Sequence, residues 1–391
     1  MKFIQHYIML IFPISALKMM SFQGSVMNAA IPNALFVDSS IPPDTPSPLF
    51  TGSPKLNPNW YVVAEAHKIK SNIPHKISIY DTPIAIWKDK LNHYGAISDV
   101  CPHRGASLSN GRIDKETGCI VCPYHTFKYN KYGRMIQAPG QTNLRLNDNY
   151  SFKTDVPHYP IAEKDGWVFL LNKPLYDTNE LKLYGSDSIW SEPEANDPEF
   201  KKVYLNKLFK QDARTVTENS LDILHISEVH TFGNKKRPLP ISDYIERVGE
   251  GHWKAVYQYE AGENSIPSKI FGIKTLIVEN EFVLPHTTVA RVKFGSFVNT
   301  IITSALPITH SESILHVKAY RNNWVFNNPI LDAIFDYQTT RMMEKTLCED
   351  KCVIDTIYPK YRDGNFITKY DNLVRVYRDE YASMVDKDPT L

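Results

Sequence analysis

Four side chains that bind soft and borderline metals crowd the stretch CPHRGASLSNGRIDKETGCIVCPYHTFKY, residues 101–129. Cys101, His103, Cys122 and His125 follow the order C-x-H-x18-C-x2-H. Each Cys–His pair is short enough for one tight loop, and the long insert lets two such loops converge on one centre. Two chemistries use these donors. A closed zinc site with two Cys and two His only holds a fold together. A [2Fe–2S] cluster with two Cys on one iron and two His on the other carries electrons, and the neutral imidazoles raise its potential. Zinc fingers usually place both Cys in one pair and both His in the other, on a ββα unit. Here each pair supplies one of each and the flanking sequence has strand character, which favours the cluster. Cys119 reads as a small buried residue.

A second constellation follows in ENSLDILHISEVH, with Glu218, Asn219, Asp222, His225 and His230 in the order E-N-x2-D-x2-H-x4-H. The surrounding apolar spacing is helical. Asp222 and His225, three apart, share a helix face. His225 and His230, five apart, stand about 140° from each other on a regular helix. For both to reach one ion the helix must widen or end between them, as helices do at functional sites, and the irregularity is expected near residues 226–229. Two His and one carboxylate on one face of an iron leave positions open for O2 and substrate. Standing alone, two His near a helix end would read as surface or capping residues.

These residues need elements to carry them. The chain has 391 residues, enough for two domains and a tail. Lys and Arg number 44 against 43 Asp and Glu, so no basic surplus exists to neutralise nucleic-acid phosphates. Five cysteines, two of them claimed by the first motif, do not make a disulfide framework, and a reducing compartment is expected. Residues 1–52 read as a leader and linker. An apolar run from Tyr7 to Leu17 is too short to span a bilayer and resembles a signal-peptide core, and the linker ends in the stiff SSIPPDTPSP. A two-part plastid leader reconciles that start with a reducing destination; initiation at Met19, Met20 or Met27, with a cytoplasmic product, is the alternative. Residues 53–173 alternate apolar and polar in short runs such as KISIYDTPIAIWKD and GWVFLLN, predicting a small antiparallel β domain. Residues 174–391 carry the helical stretch at 213–230, then strand-like runs from HWKAVYQYE to SILHVKAYRNNW, then a helix over about 329–357. The whole is α+β. No internal repeat and no glycine fingerprint for phosphate or dinucleotide is present.

The loops CPHRGA and CPYHTFKY, with the opening WYVVA, resemble the Rieske iron–sulfur domain. HTF departs from it, since a Gly and a Trp commonly follow the second His. With ENSLDILHISEVH behind it, the chain after the leader resembles the catalytic α subunit of Rieske non-haem iron oxygenases. That resemblance implies a helix-grip-like catalytic domain of antiparallel sheet and helices, holding a mononuclear Fe(II). It places the third iron ligand in RMMEKTLCEDKCVIDTIY at Asp350, with Glu349 and Asp355 as competing carboxylates. Cys348 and Cys352 lie on another face and are expected to pack. The resemblance gives Asp222 the bridging role between an iron-binding His and a cluster His of a neighbouring protomer, hence a homotrimer. Electrons would come from an external ferredoxin or NAD(P)H reductase, because no flavin or nicotinamide motif is present. The expected reaction is hydroxylation, demethylation or a related O2-dependent oxidation of a small, largely apolar compound, in a pocket lined by the sheet over residues 275–317. His286, His310 and His316 lie there and read as ordinary strand or loop histidines. No membrane span is expected, and the C-terminal Cys motif of the chlorophyll-breakdown branch is not seen, which points toward the soluble hydroxylases and demethylases. Two other classes fit parts of the sequence: an electron-transfer Rieske protein without oxygenase activity, and a lipid-type binding module around a structural zinc.

Overall fold

The first strands carry short runs of consecutive buried residues, three in β1 and four in β3, as strands covered on both faces do. The computed structural model describes residues 56–140, 154–176, 185–230, 236–260, 272, 274–323, 325 and 328–385. The expected leader, residues 1–52, lies outside them.

Ten short strands precede residue 172: β1 Trp60–Glu65, β2 His75–Ile79, β3 Thr82–Lys88, β4 Tyr94–Ser98, β5 Arg112–Ile113, β6 Ile120–Val121, β7 Lys128–Tyr129, β8 Met135–Gln137, β9 Ile161–Lys164 and β10 Trp167–Leu171. They form three antiparallel sheets, in the orders β1-β10-β9, β2-β3-β4 and β5-β6-β7-β8. Gly95 leaves room for the Trp87 ring, which a Cβ there would meet at 2.4 Å. Trp87, Leu108, Ile120 and Tyr129 make a small core under the two Cys–His loops.

Seven strands follow: β11 Lys201–Phe209, β12 Ser242–Gly249, β13 His252–Glu260, β14 Thr275–Val283, β15 Thr287–Phe294, β16 Phe297–Pro307 and β17 Ser313–Arg321. They form one antiparallel sheet in the order β11-β17-β16-β15-β14-β13-β12. Among the described residues four α-helices accompany it: α1 Ala213–Leu221, α2 Ile226–Val229, α3 Pro329–Ile354 and α4 Asn372–Ser383. Helix α1 starts at Asp212, whose side chain accepts from Thr215 N. Helix α3 starts at Asn328, which caps Ile330 N and Leu331 N, with Pro329 in the first turn. Met343 and Leu347 of α3 pack with Val216 of α1 on Phe209, Leu315 and Val317 of the sheet.

This is the expected α+β class. A further core takes residues from both parts, with Tyr61, Ile84 and Val168 packing alongside Leu221, Phe282 and Tyr377. The β2–β3 turn is tied to the end of β16 by Tyr80 N→Pro307 O (3.0 Å) and Asp81 N→Ile308 O (2.8 Å). The β11, β12 and α4 elements were not anticipated from the sequence, and the long helix stops at Ile354.

Candidate metal centres

The two Cys–His loops repeat one design. In the first, Cys101 N donates to Ala106 O (2.9 Å) and Gly105 N to Cys101 O (2.8 Å). In the second, Cys122 N donates to Phe127 O (2.8 Å) and Thr126 N to Cys122 O (3.1 Å). Asp99 braces the first loop by accepting from Ser109 N (2.6 Å) and from the Ser107 hydroxyl. The ion pair Lys128–Asp114, 2.5 Å, braces the hairpin that leads to the second.

These loops bring Cys101, His103, Cys122 and His125 together. Both cysteines are buried, and burial beside Cys101 pushes the Cys122 thiol pKa up, opposed by the backbone N–H groups of Tyr124 and His125. The His103 and His125 Nδ1 atoms lie 3.1 Å apart at the outer edge. Buried sulfurs inside, with an exposed His103 and a half-buried His125 outside, fit a cluster with a Cys-bound and a His-bound iron. The Tyr129 hydroxyl lies 3.5 Å from Cys101 Sγ, and burial beside that thiol raises its pKa, so the phenol keeps its proton and is able to donate to a cluster-bound thiolate. Tyr124 stacks on His125 with ring centroids 3.7 Å apart. Cys119 is buried, 4% exposed.

The second constellation is built differently from the expected helix, which was to widen or end between His225 and His230. Helix α1 ends at Leu221 because Asp222 turns extended (φ −74°, ψ 124°) and its Oδ1 accepts from Leu224 N at 2.8 Å. A short acidic side chain that bonds the backbone two residues on competes with helix continuation. The break therefore falls at 222–225, upstream of the predicted position, and Asp222 and His225 do not share a helix. Residues 226–229, where the irregularity was expected, are a regular single turn, α2, with His225 and His230 at its two ends.

Asp350 lies between these histidines. Its Oδ1 is 3.5 Å from His225 Nε2 and 3.3 Å from His230 Nε2, and the three donor atoms lie within 4.8 Å of one another. That oxygen is buried and forms no hydrogen bond among the described residues. Burial raises the Asp350 pKa, while both imidazoles and a hydrogen bond from Asn219 oppose the rise. Bases facing one another across a buried gap fit a divalent cation. Asp350 belongs to the buried face of α3, with Met343, Leu347 and Ile354. Asp355, its competitor, accepts from Lys210 N (2.9 Å) and pairs with Lys351. Glu349, the other competitor, turns to the far side of His230, its Oε2 3.1 Å from Nδ1. The Asp222 Oδ2 lies 3.4 Å from His225 Nδ1, on a side chain that is 37% exposed.

Cys348 and Cys352 do not pack as expected. Both are exposed, because positions two before and two after Asp350 turn away from the buried stripe. His286 is buried against Tyr377 Oη (3.0 Å), His316 is buried on β17, and His310 is exposed. Sequence reasoning gave no role to Asn219 or Tyr129, or to Glu349 as a partner of His230. The spacing of Met343, Leu347, Asp350 and Ile354, by fours and threes, was the available signal that Asp350 faces inward.

A Rieske [2Fe-2S] domain model matches residues 59–160. Aminopyrrolnitrin oxygenase PrnD of Pseudomonas fluorescens is 24% identical over 380 residues, covering 91% of this chain and 98% of that protein. The domain match and relatives of this kind support a Rieske non-haem iron oxygenase catalytic subunit. This oxygenase is also similar to the chloroplastic pheophorbide a oxygenase of Oryza sativa subsp. japonica, 28% identical over 196 residues, but spans only 36% of that protein. Its fold superposes on dicamba monooxygenase bound to dicamba with a TM-score of 0.70 at 19% identity, covering 85% of this chain and 98% of that one. Dicamba monooxygenase has also been crystallised with non-haem iron. The cofactors of the Rieske oxygenase are a [2Fe–2S] cluster and a mononuclear iron. As an oxidoreductase it is set apart from both a bare electron carrier and a zinc-held binding module. No helix among the described residues is long and apolar enough to cross a membrane.

Proposed function

We propose that Cys101, His103, Cys122 and His125 hold the cluster and that His225, His230 and Asp350 hold the mononuclear Fe(II), for O2-dependent hydroxylation or demethylation of a small, largely apolar compound. The observation that carries this reading is the meeting of His225 Nε2, His230 Nε2 and Asp350 Oδ1 around a buried point, where Oδ1 has no hydrogen bond among the described residues. When bound, the cluster supplies electrons and the mononuclear iron supplies the O2 chemistry.

The chain's own residues prepare both sites. Asn219 donates to Asp350 and leaves the oxygen that faces the imidazoles free for a cation. Asp222 takes the outer edge of His225 and keeps an exposed side open to a second protomer. Exposed His103 and the outer edge of His125 form a surface that a neighbouring catalytic site can approach. Those two exposures support electron transfer between subunits and a homotrimer, with electrons entering from a separate ferredoxin or reductase. The division at residues 53–173 and 174–391 assigns one cofactor to each part. The relatives named for aminopyrrolnitrin and dicamba support a small organic substrate. The chloroplastic relative and the signal-like run in residues 1–52 support a plastid location.

Metal analysis of Asp350→Ala and His225→Ala tests the assignment. Each variant is expected to lose one iron per chain and all product formation, while keeping the reduced-cluster signal. Iron content equal to the unaltered protein, or loss of the cluster signal, would overturn it.

A further inference from the structure

His230 is held between consecutive carboxylates of one helix. Its Nε2 faces Asp350 Oδ1 at 3.3 Å and its Nδ1 faces Glu349 Oε2 at 3.1 Å. Neighbouring helix residues point about 100° apart, so Glu349 would ordinarily leave the face that Asp350 occupies. The extra methylene of Glu lets its carboxylate come round the ring to the opposite nitrogen. His230 is 4% exposed and the Glu349 side chain 18%, so this bond is largely out of water. Lys345, one turn earlier, places its Nζ 3.8 Å from the other Glu349 oxygen.

A carboxylate oxygen accepts the N–H of an imidazole, so this contact favours the ring tautomer with its proton on Nδ1. Nε2 is then left with its lone pair directed at the point shared with His225 and Asp350. His225 is held less firmly: its Nδ1 lies 3.4 Å from Asp222 Oδ2 and forms no hydrogen bond among the described residues.

We propose that Glu349 is a positioning residue for the mononuclear iron, setting the tautomer and ring orientation of His230. The proposal rests on the reading of His225, His230 and Asp350 as iron ligands. Partners of this kind, behind a metal-binding imidazole, are worth about 10–100-fold in metal affinity.

The test is Fe(II) titration of protein with its cluster intact and its mononuclear iron removed, followed by the EPR signal of the nitric oxide adduct. Glu349→Ala should weaken Fe(II) binding by about 10–100-fold and change the rhombicity of the nitrosyl signal. Glu349→Gln, whose side-chain oxygen still accepts from Nδ1, should recover most of the affinity and the original line shape. The reduced-cluster signal, unchanged in both, reports that the fold is intact. Fe(II) binding by Glu349→Ala within about twofold of the unaltered protein, far short of that range, would overturn the proposal. So would equal weakening in the Gln and Ala variants. Asp350→Ala separates the two readings: if it retains Fe(II), the ligand assignment fails. If it loses Fe(II) while Glu349→Ala keeps it, only the positioning role fails.

Discussion

Gly105 and Thr126 occupy the same place in two loops of one shape. Each donates its N–H to the carbonyl of the Cys four residues earlier, at 2.8 and 3.1 Å, and each has a left-handed backbone, φ +70° and +60°. Glycine adopts that conformation without cost, whereas a β-branched residue is a clear outlier there. The HT in HTF, a departure from the Rieske pattern noted in the sequence, is therefore a point of local strain beside His125.

Thr126→Gly should stabilise the protein. Relief of the left-handed conformation contributes about 1–2 kcal/mol, and the added freedom of the unfolded chain removes about half of it. A rise in thermal midpoint with an unchanged cluster spectrum is expected, while Gly105→Thr should lower the midpoint. A lower midpoint for Thr126→Gly would contradict the account.

Tyr129→Phe should lower the reduction potential of the cluster. With Cys101 Sγ held as a thiolate on the cluster, the phenol 3.5 Å away is the donor, and a donor to a cluster sulfur favours the reduced form. A hydrogen bond of about 0.5–1.5 kcal/mol corresponds to roughly 20–65 mV for one electron. Redox titration followed by EPR measures the shift, and an unchanged or higher potential would rule out the donor role.

Lys318 is fully buried, with its Nζ 2.7 Å from Glu192 Oε2 and 2.7 Å from Asp165 O. Trp167 and Tyr320 also donate to Glu192, which ties β10 to β17. Burial lowers the Lys318 pKa to about 8, against the pull of Glu192. Lys318→Met alone should destabilise by about 3–5 kcal/mol, because it leaves a buried carboxylate without its cation. The double change Lys318→Met with Glu192→Gln should recover a large part of that, measured as urea midpoints. Equal loss in the single and double variants would contradict this.

Stability should fall on the acid side. Burial lowers the pKa of His286 to about 3 and of His316 to about 4, from 6.5. The unfolded chain takes up protons below pH 6.5 that the folded imidazoles refuse, so the contribution is full above about pH 7 and shrinks as pH falls. Each group should cost about 1.4 kcal/mol at pH 5.5 relative to pH 7.5. Both ring nitrogens of His316 are buried without a hydrogen bond among the described residues, so His316→Leu should remove about half of that slope. A slope unchanged by the substitution would point to other groups.

Much of this was legible in the chain. The paired Cys–His loops are readable because ligand type and spacing are themselves the chemistry. Strands β13 to β17 show as strand-like runs, with β14 to β16 rich in β-branched residues. The misses have physical causes. The β11 and β12 strands lie at the two edges of the seven-stranded sheet, and β12 exposes most of its residues, so its alternation is blurred. The α4 helix hides in NLVRVYRDEYAS, where Leu373, Val374, Tyr377 and Tyr381 make the buried stripe. The break at Asp222 depends on a side-chain bond to Leu224 N, which spacing alone does not reveal.

The central claim is that one chain carries an electron-transfer cluster and a separate oxygen-activating iron. EPR with metal analysis on anaerobically purified protein, reduced by dithionite and exposed to nitric oxide, tests it most directly. The account predicts a rhombic reduced-cluster signal, a distinct iron–nitrosyl signal, and one iron beyond the two of the cluster. A cluster signal with no nitrosyl signal after reconstitution with Fe(II), or zinc in place of iron, would contradict it.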